Sequence, residues 1–311
     1  MTHIEIPIWN KCNSSCVMCT NTDLMRKDSW FNYDSVIAFL EKELKKNNCS
    51  VPESIGLTGG ETTICPYFFQ IMQYIRQRFP ETVIRVLTNG RMFVYNRFRK
   101  KTLAFRKIDF IIPVHGYDAK SHDRITQVPG SFYQTVAGLE KLLVEKKPDQ
   151  KIEIRVIATC LNLKIIPKIL KLIEEKFFGV ERVVLIFLEF EGRAEINKNR
   201  VGITYQQIQP ILKQKQVKKY FKIFKDLRLY HFPLCVLEPS FWPYVWRTLP
   251  KEEVTFLAEC QKCLLKKYCL GIHKSYLSYF KKPEIKPWLD LKGVKIKENE
   301  NFYNPINFVK Q

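Results

Sequence analysis

Apolar and polar positions alternate regularly along the first 195 residues of the chain. Short runs rich in β-branched residues predict six buried strands, at IEIPI (4–8), SIGLT (54–58), VIRVL (83–87), DFIIPV (109–114), IEIRVIA (152–158) and RVVLIFLEF (182–190). Between these runs, apolar residues recur at three- and four-residue spacing and predict helices over 33–46, 67–79, 91–105, 132–146 and 165–177. Strands that are apolar almost throughout, each followed by a helix, indicate an α/β fold with a parallel sheet.

The periodicity alone leaves the form of that sheet open. Six strand–helix units can build a doubly wound sheet or a barrel, and in both folds ligands bind at the carboxyl ends of the strands. The pattern changes near residue 200, where a helix predicted over 204–217 is followed by the Trp- and Pro-rich PSFWPYVWRTLP and a polar tail. We therefore expect two units, residues 1–200 and residues 201–311.

Composition and charge narrow the class of protein. Hydrophobic residues make up 46% of the 311 residues, which is ample for a large buried core. The sequence has no run of eighteen apolar residues and no recognisable signal peptide, so we expect a soluble, cytoplasmic protein without a membrane partner. The formal net charge of +20 favours polyanions or acidic peptides as partners but does not choose between them.

Seven of the ten cysteines fall into two groups. The front group is Cys12, Cys16 and Cys19, and the back group is Cys235, Cys260, Cys263 and Cys269. In a reducing compartment, cysteines clustered at short spacing bind metal more often than they form disulfides. The isolated Cys49, Cys65 and Cys160 are expected to be ordinary packed or surface thiols.

The front group follows the first predicted strand and therefore lies where active sites are found in such folds. Its loop contains three cysteines and no histidine, whereas a structural zinc site needs four ligands. A cubane cluster held by three thiolates keeps one iron open for a further ligand. The spacing therefore indicates an iron–sulfur site with a functional vacancy.

Cys-x3-Cys-x2-Cys after the first strand resembles the signature of the radical S-adenosylmethionine (SAM) superfamily. The resemblance implies a partial (β/α)6 TIM barrel, with SAM bound to the open iron of a [4Fe–4S] cluster. It also implies reductive cleavage of SAM to methionine and a 5′-deoxyadenosyl radical, which abstracts a hydrogen atom from the substrate. A flavodoxin- or ferredoxin-type electron donor is then expected. Met18 stands where the family usually has an aromatic residue beside the cofactor.

Further segments resemble family motifs in the expected order. By the resemblance, Gly59, Gly60 and Glu61 in LTGGET bind the methionine amino group of SAM, and Asn89 in LTNG lies in a SAM-facing turn. His115 ends the fourth strand and is expected to face SAM or substrate, with a possible catalytic role. The remaining expected SAM contacts are Arg155, Asn162 and the Gly192, Arg193, Ala194 segment near the adenine. For Arg155 the alternative is an ion pair inside the barrel.

The back group supplies four thiolates, enough to close a cluster or a zinc site, and its spacing alone does not separate the two. Its place after the barrel resembles the short auxiliary domain called twitch. The resemblance implies a small C-terminal iron–sulfur domain with one auxiliary [4Fe–4S] cluster and no open iron. Structure, electron relay and shaping of the substrate pocket are its expected roles.

The segment from LYHFPLCVLEP to CQKCLLKKYCLG resembles the C-terminal region of the His-Xaa-Ser system radical SAM maturases. This implies an enzyme that modifies a ribosomally made peptide by crosslinking or a related oxidation. Two alternatives stay open: the same chemistry on RNA or a small molecule, and a non-catalytic iron–sulfur or zinc protein. RNA is suggested by the basic, aromatic-rich segments 97–107 and 213–228, which can equally be solvated helix faces.

Overall fold

The computed structural model describes residues 3–21, 31–280, 285–291 and 293–310. Its main sheet has the strands β1 (His3–Trp9), β2 (Ser54–Gly59), β3 (Val83–Leu87), β4 (Ile108–Pro113), β5 (Lys151–Ala158), β6 (Arg182–Phe187), β7 (Leu227–Tyr230) and β8 (Val245–Trp246). These strands are parallel and lie in sequence order. Within the described part of the chain, β1 and β8 are not paired with each other, so the sheet is an open, barrel-like array.

The helices cover the outer face of this sheet. They are α1 (Tyr33–Lys46), α2 (Phe68–Arg78), α3 (Asn96–Leu103), α4 (Ala119–Thr126), α5 (Ser131–Glu145), α6 (Ile166–Lys176), α7 (Arg193–Ile196), α8 (Lys198–Val201), α9 (Tyr205–Lys213), α10 (Lys215–Lys218), α11 (Tyr220–Ile223) and α12 (Lys274–Tyr279). Two short antiparallel pairs complete the fold: β9 (Val254–Thr255) with β10 (Ile272–His273), and β11 (Lys295–Glu298) with β12 (Ile306–Lys310).

Local sequence explains where individual helices begin. Asn32 precedes α1 and its side chain accepts a 2.9 Å hydrogen bond from Ser35 N, while Ser35 Oγ accepts from Asn32 N. Asp118 and Ser121 form the same capping box at α4. Reciprocal caps of this kind satisfy backbone N–H groups that have no partner inside the helix. This cap is relevant to the site because the last turn of α4 accepts backbone hydrogen bonds from the loop that contains Cys16.

Side chains of opposite character lie on the two faces of the sheet. In β5, Ile152, Ile154 and Val156 are fully buried on the helix side, whereas Glu153 and Arg155 alternate with them and point to the concave side. Towards the strand ends the concave side becomes apolar, with a small cluster of Val184, Ile186 and Tyr230 packed against Ile157 and Trp246. The interior is therefore charged at its base and apolar near the carboxyl ends of the strands.

The fold class expected from the sequence agrees with this architecture. The α/β fold of parallel strands in barrel-like order is confirmed, and the six predicted strands correspond to β1–β6. The strands β7 and β8 are additional, and they extend the sheet to Trp246. The division at residue 200 stays a prediction. The helix predicted over 91–105 is interrupted at Tyr95, and the one over 204–217 is interrupted at Gln214.

None of the helices in the described ranges is long and apolar enough to cross a membrane.

Candidate functional site

Cys12, Cys16 and Cys19 lie on one loop after β1, at the edge of the sheet where its parallel strands end. Each of the three is half-buried. Ser14 N donates to Cys12 Sγ at 3.3 Å, and Cys19 N donates to Cys16 O at 3.3 Å. The loop is therefore a tight turn, and one sulfur already accepts a backbone hydrogen bond of the kind that favours a thiolate.

The last turn of α4 holds this loop in place. Ser15 N donates to Thr126 O at 2.9 Å, and Val17 N donates to Ile125 O at 3.0 Å. Met18, the next residue, is 5% exposed and packs in the main hydrophobic core. Its side chain therefore anchors the loop to the hydrophobic core. The expected contact of Met18 with the cofactor stays a prediction.

The end of β2 lies directly against the start of the same loop. Gly60 N donates to Trp9 O at 2.6 Å. A Cβ atom on Gly59, whose φ is +122°, would lie 2.1 Å from Trp9 O, and one on Gly60 would lie 2.2 Å from Lys11 O. Both positions therefore require glycine, because the chain's own backbone occupies the space that a side chain would need.

Glu61 is only 1% exposed, and its carboxylate is satisfied from within the protein. It accepts hydrogen bonds from Asn89 N at 2.6 Å, from Thr63 N at 3.0 Å, and from the hydroxyls of Thr63 and Thr88. Burial raises the pKa of Glu61, and these four bonds oppose that rise. The carboxylate thus joins the turns after β2 and β3, which gives Glu61 a positioning role.

Asn89 and Arg91, in the turn after β3, reach across to the cysteine loop. Asn89 Nδ2 donates to Asn13 Oδ1 at 2.6 Å, and Arg91 Nη1 donates to Asn13 O at 2.5 Å. Arg91 Nε donates to Gln134 Oε1 at 2.6 Å, which fixes the guanidinium from the other side. Sequence reasoning identified Asn89 but missed Arg91, although it follows Asn89 by two residues.

The segment after β6 packs on the third cysteine. Arg193 N donates to Cys19 O at 2.8 Å. Gly192 has a φ of +55°, and a Cβ atom there would lie 2.1 Å from Thr20 O. Ala194 is completely buried. All three predicted residues of this segment therefore lie beside the cysteine loop.

His115 follows β4 and is 2% exposed. Its backbone N–H faces His122 Nδ1 at 3.3 Å, and its carbonyl accepts from Asn162 Nδ2 at 3.1 Å. Its own Nδ1 has no hydrogen-bond partner among the described residues. Burial, with a smaller effect of His122, lowers the pKa of His115 to about 3, so the imidazole is neutral. The structure thus brings His115 and Asn162 together.

Arg155 forms an ion pair inside the sheet, as in the alternative expectation. Its Nε lies 2.6 Å from Glu153 Oε1, and Arg182 Nη1 lies 2.8 Å from Glu153 Oε2. Arg182 in turn binds Asp226 at 2.8 Å, so the network joins β5 and β6 to the start of β7. Burial alone would raise the pKa of Glu153, but the two arginines lower it to about 2.

The four cysteines of the back group line one largely apolar cavity. Its other lining residues include Pro233, Phe256, Leu265, Ile272 and Ile285. Backbone N–H groups point at two of the sulfurs: Leu234 N and Gly271 N at Cys269 Sγ, 3.5 and 3.4 Å, and Trp288 N at Cys263 Sγ, 3.4 Å. Such bonds stabilise thiolates and tune iron–sulfur clusters.

Burial and mutual proximity disfavour free thiolates in this cavity. Burial raises the pKa of Cys235, and the nearby thiols of Cys269, Cys260 and Cys263 raise it further. Burial is also the main cause of the raised pKa values of Cys260 and Cys269. Bound metal ions remove this penalty because they keep coordinating thiols deprotonated. No three His, Cys, Asp or Glu side chains in the described ranges are arranged around a single metal ion.

Comparisons with known proteins agree with this reading of the front site. Residues 7–137 match the family model described as a 4Fe-4S single cluster domain. The chain is 26% identical over 204 residues to the AdoMet-dependent heme synthase of Methanosarcina barkeri, a match that covers 63% of this chain and 53% of that protein. Both matches support the assignment of this chain to the radical SAM superfamily. It spans about half the length of this curated relative.

Two solved structures have a fold similar to that of this chain. SuiB of Streptococcus suis, bound to the precursor peptide SuiA, superposes with a TM-score of 0.54 at 13% identity, over 71% of this chain and 45% of SuiB. TYW1 with a bound lysine-pyruvate adduct gives a TM-score of 0.50 at 18% identity, over 71% of this chain and 73% of TYW1. At these identities the likeness concerns the fold.

The match to a 4Fe-4S cluster domain and the likeness to an AdoMet-dependent protein support a [4Fe–4S] cluster and SAM as the cofactors of the front site. The donor set fits them, because three thiols share a loop that four other segments of the chain hold in place. The sequence reasoning found the thiols by their spacing. Arg91 and Asn13 were not predicted from the sequence. The same holds for a group of glutamates and histidines near the ends of β6 and β7, which comprises Glu189, Glu191, His231, Glu253 and His273.

Proposed function

We propose that this radical SAM protein cleaves SAM reductively and uses the resulting radical to modify a ribosomally made peptide. The observation that carries the proposal is the construction of the front loop. The turns after β2, β3 and β6 all bond to it, and these turns contain the Gly-Gly-Glu, Asn-Gly and Gly-Arg-Ala segments. When bound, the cluster and SAM supply the electron transfer and the 5′-deoxyadenosyl radical that abstracts hydrogen.

The protein's own groups then have separate tasks. Cys12, Cys16 and Cys19 would hold the cluster, and one iron would stay open for the amino and carboxylate groups of SAM. Four internal donors occupy the Glu61 carboxylate, and Gly60 N and Glu61 N already donate to Trp9 O and Lys11 O. The backbone carbonyls of 59–61 are therefore the groups of that motif that would accept a hydrogen bond from SAM. His115 offers a neutral imidazole whose Nδ1 lacks a partner within the described chain.

The back cavity would hold one auxiliary [4Fe–4S] cluster, as in twitch-type domains. Its four cysteines fill all four iron positions, so it would not bind substrate through iron. The aligned N–H donors at Cys263 and Cys269 stabilise a reduced cluster, which suits an electron acceptor in an oxidative reaction. We assign it the electron released when a substrate radical becomes product.

A peptide is favoured over RNA by the structure of the basic segment 213–228. Lys213 and Lys218 pair with Glu238, at 3.4 and 2.8 Å, while Val217 and Phe221 are buried. These lysines therefore belong to a solvated helix face that already has counter-charges. The resemblance to His-Xaa-Ser maturases and the fold shared with SuiB in its peptide complex support the same choice.

The positive charge of the chain suits an acidic electron donor of the flavodoxin or ferredoxin type, because opposite charge speeds association. Such donors are cytoplasmic, in keeping with the cytoplasmic location that we propose.

The direct test is release of 5′-deoxyadenosine from SAM by anaerobically reconstituted protein with dithionite. We expect release by the wild type and none by Cys16→Ala, with Cys160→Ala as the matched control because its thiol is exposed and lies outside both groups. A wild type that carries both clusters and releases no 5′-deoxyadenosine would falsify the proposal. Iron-free protein with stoichiometric zinc would support the non-catalytic alternative.

A further inference from the structure

Five acidic and imidazole side chains gather at the carboxyl ends of β6 and β7. They are Glu189, Glu191, His231, Glu253 and His273, and we call them the Glu–His cluster. His231 Nδ1 lies 3.0 Å from Glu189 Oε1, without the alignment of a good hydrogen bond. His273 Nε2 lies 3.6 Å from Glu191 Oε1 and 3.8 Å from Glu253 Oε2. One nitrogen atom thus faces two carboxylates without bonding to either.

Members of the cluster are neighbours, along the chain, of segments that belong to both cysteine sites. Glu191 immediately precedes Gly192, which packs against Thr20 O beside Cys19. His273 follows Cys269 by four residues, and β10, which it ends, pairs with β9 directly after Glu253.

His273 is 5% exposed, and its hydrogen bonds fix its tautomer. Ser275 N donates to His273 Nδ1 at 3.1 Å, and Ser275 Oγ, which accepts from Phe190 N at 3.0 Å, lies 2.6 Å from the same Nδ1. Since Nδ1 is the acceptor, the proton of the neutral ring is on Nε2. A protonated Nε2 cannot ligate a metal ion, so His273 in this tautomer is not a metal ligand.

Among the described residues, histidines are the groups that pair with these three carboxylates. The chain has 51 lysines and arginines against 31 aspartates and glutamates, yet no lysine or arginine in the described ranges forms an ion pair with Glu189, Glu191 or Glu253. Arg155 acts on Glu189 only at longer range. In a chain so rich in cations, three adjacent carboxylates with only histidines beside them indicate that the counter-charge comes from a ligand.

The electrostatics agree with this. Burial raises the pKa of Glu191, and Glu189, Glu253 and Glu195 raise it further. Burial and the charge of Glu189 also raise the pKa of Glu253. A cation among these groups would relieve both effects. Glu191 and Glu253 are nearly half exposed, 47% and 46%, so the cluster is open to a ligand.

We propose that the Glu–His cluster binds a protonated amine or guanidinium group of the substrate. The carboxylates accept hydrogen bonds from the cation, and an ammonium has three donors to offer while a guanidinium has five. The proposal rests on the proposed function because it names a feature of that substrate, a lysine or arginine side chain or an amino terminus. The cluster would then position this substrate near segments of both cysteine sites.

The test compares two short labelled peptides that differ at one central position, which is lysine in one and Nε-acetyl-lysine in the other. Binding to the SAM-loaded holoenzyme is measured by fluorescence anisotropy. We expect the lysine peptide to bind at least about tenfold more tightly, since close charge pairs at interfaces contribute this much or more. Glu191→Gln with Glu253→Gln should reduce the ratio to within about threefold.

The matched control is Glu195→Gln with Glu252→Gln, which removes the same charge from exposed neighbouring glutamates and should keep the tenfold ratio. Iron content and circular dichroism show whether the variants are folded and carry their clusters. If the double variant is not folded, Glu191→Gln and Glu253→Gln are tested singly. Each should reduce the ratio of the two peptide affinities about threefold. A wild type without charge preference, or without binding to either peptide, overturns the proposal, as does an unchanged ratio in the variant. Release of 5′-deoxyadenosine by the wild type tests the proposed function separately.

Discussion

Arg193 N donates a 2.8 Å hydrogen bond to Cys19 O, and this bond joins the end of the sixth strand to the third cysteine of the front loop. It is one of four attachments of that loop, the others coming from α4, from the end of β2 and from the turn after β3. The geometry of the front site is thus set by the sheet edge as a whole.

Gly192→Ala should damage the front site selectively. The residue has a φ of +55°, and a Cβ atom would lie 2.1 Å from Thr20 O, so the loop must shift. We expect iron to fall from about eight to about four atoms per chain, since each cubane holds four, and 5′-deoxyadenosine release to fall at least about tenfold.

Gly179→Ala is the matched control for that substitution, because its Cβ atom would meet only Leu143 at an ordinary 3.6 Å. Iron and 5′-deoxyadenosine are measured on both proteins after identical reconstitution. Full iron loading and full activity in Gly192→Ala would show that the segment after β6 does not support the cysteine loop.

Thr63→Val should weaken the protein in a pH-dependent way. The change removes a hydroxyl donor from the buried carboxylate of Glu61, at a cost of about 1.5–3 kcal/mol in the free energy of unfolding. The lost bond stabilises the ionised carboxylate, so the folded-state pKa of Glu61, already raised by burial, rises further. The loss should therefore be largest at pH 8 and should shrink as Glu61 becomes protonated in acid.

Denaturant unfolding of the holoprotein at several pH values measures this. Thr102→Val is the control, since it also removes a buried hydroxyl bond, but one made to the carbonyl of Phe98. Its effect should be the same at every pH. If Thr63→Val behaves like Thr102→Val, the carboxylate of Glu61 does not depend on the hydroxyl.

Glu153→Gln should destabilise the sheet by about 3–5 kcal/mol, because it leaves the buried charges of Arg155 and Arg182 without their shared partner. The two arginines lower the folded-state pKa of Glu153 to about 2. Its contribution is therefore complete above the unfolded-state pKa of about 4.3 and is lost between about pH 4 and pH 2.

Thermal unfolding followed down to pH 2 should thus show a steeper loss of stability in the wild type than in Glu153→Gln. Glu81→Gln, which breaks an ion pair between an exposed carboxylate and Lys107, serves as the control and should change little. Parallel pH profiles for wild type and Glu153→Gln would contradict the assignment of this acid sensitivity to Glu153.

Cys269→Ala should separate the two cysteine sites. Removal of one of four ligands should cost the back cavity its metal, about four iron atoms, while the front site still releases 5′-deoxyadenosine. Modified peptide should not form, because the electron acceptor is missing. Metal analysis and mass spectrometry of the peptide provide the measurements, with Cys49→Ala as a control outside both groups. Loss of zinc in place of iron would refute a cluster in this cavity.

The parts of the fold that the sequence predicted are those with strong local patterns. The continuous apolar runs of β1–β6 identify buried strands, but β7 has four residues and β8 has two, too short for any period to be recognised. Tyr95 interrupts a stretch whose apolar spacing continues through it. The break follows from tertiary packing, which periodicity does not record.

The site residues also divide into those with a local sequence pattern and those that only the fold brings together. The sequence predicts the cysteine ligands because six of the seven cysteines lie at short spacing, in the segments 12–19 and 260–269. Arg91 binds Asn13 from 78 positions away, and His273 meets Glu191 from 82, so these pairs have no local pattern. The carboxylate of Glu61 was expected to face the cofactor, yet its partners come from the turns after β2 and β3.

The attachment of Cys19 to Arg193 also has a consequence for biosynthesis. The two residues are 174 positions apart, and a ribosome that adds about 5–20 residues per second needs roughly 9–35 seconds to make the intervening chain. During that interval the three thiols have been synthesised without the segment that encloses them. The loop that carries them therefore gains its last attachment only after the end of the sixth strand has been made and has folded against it.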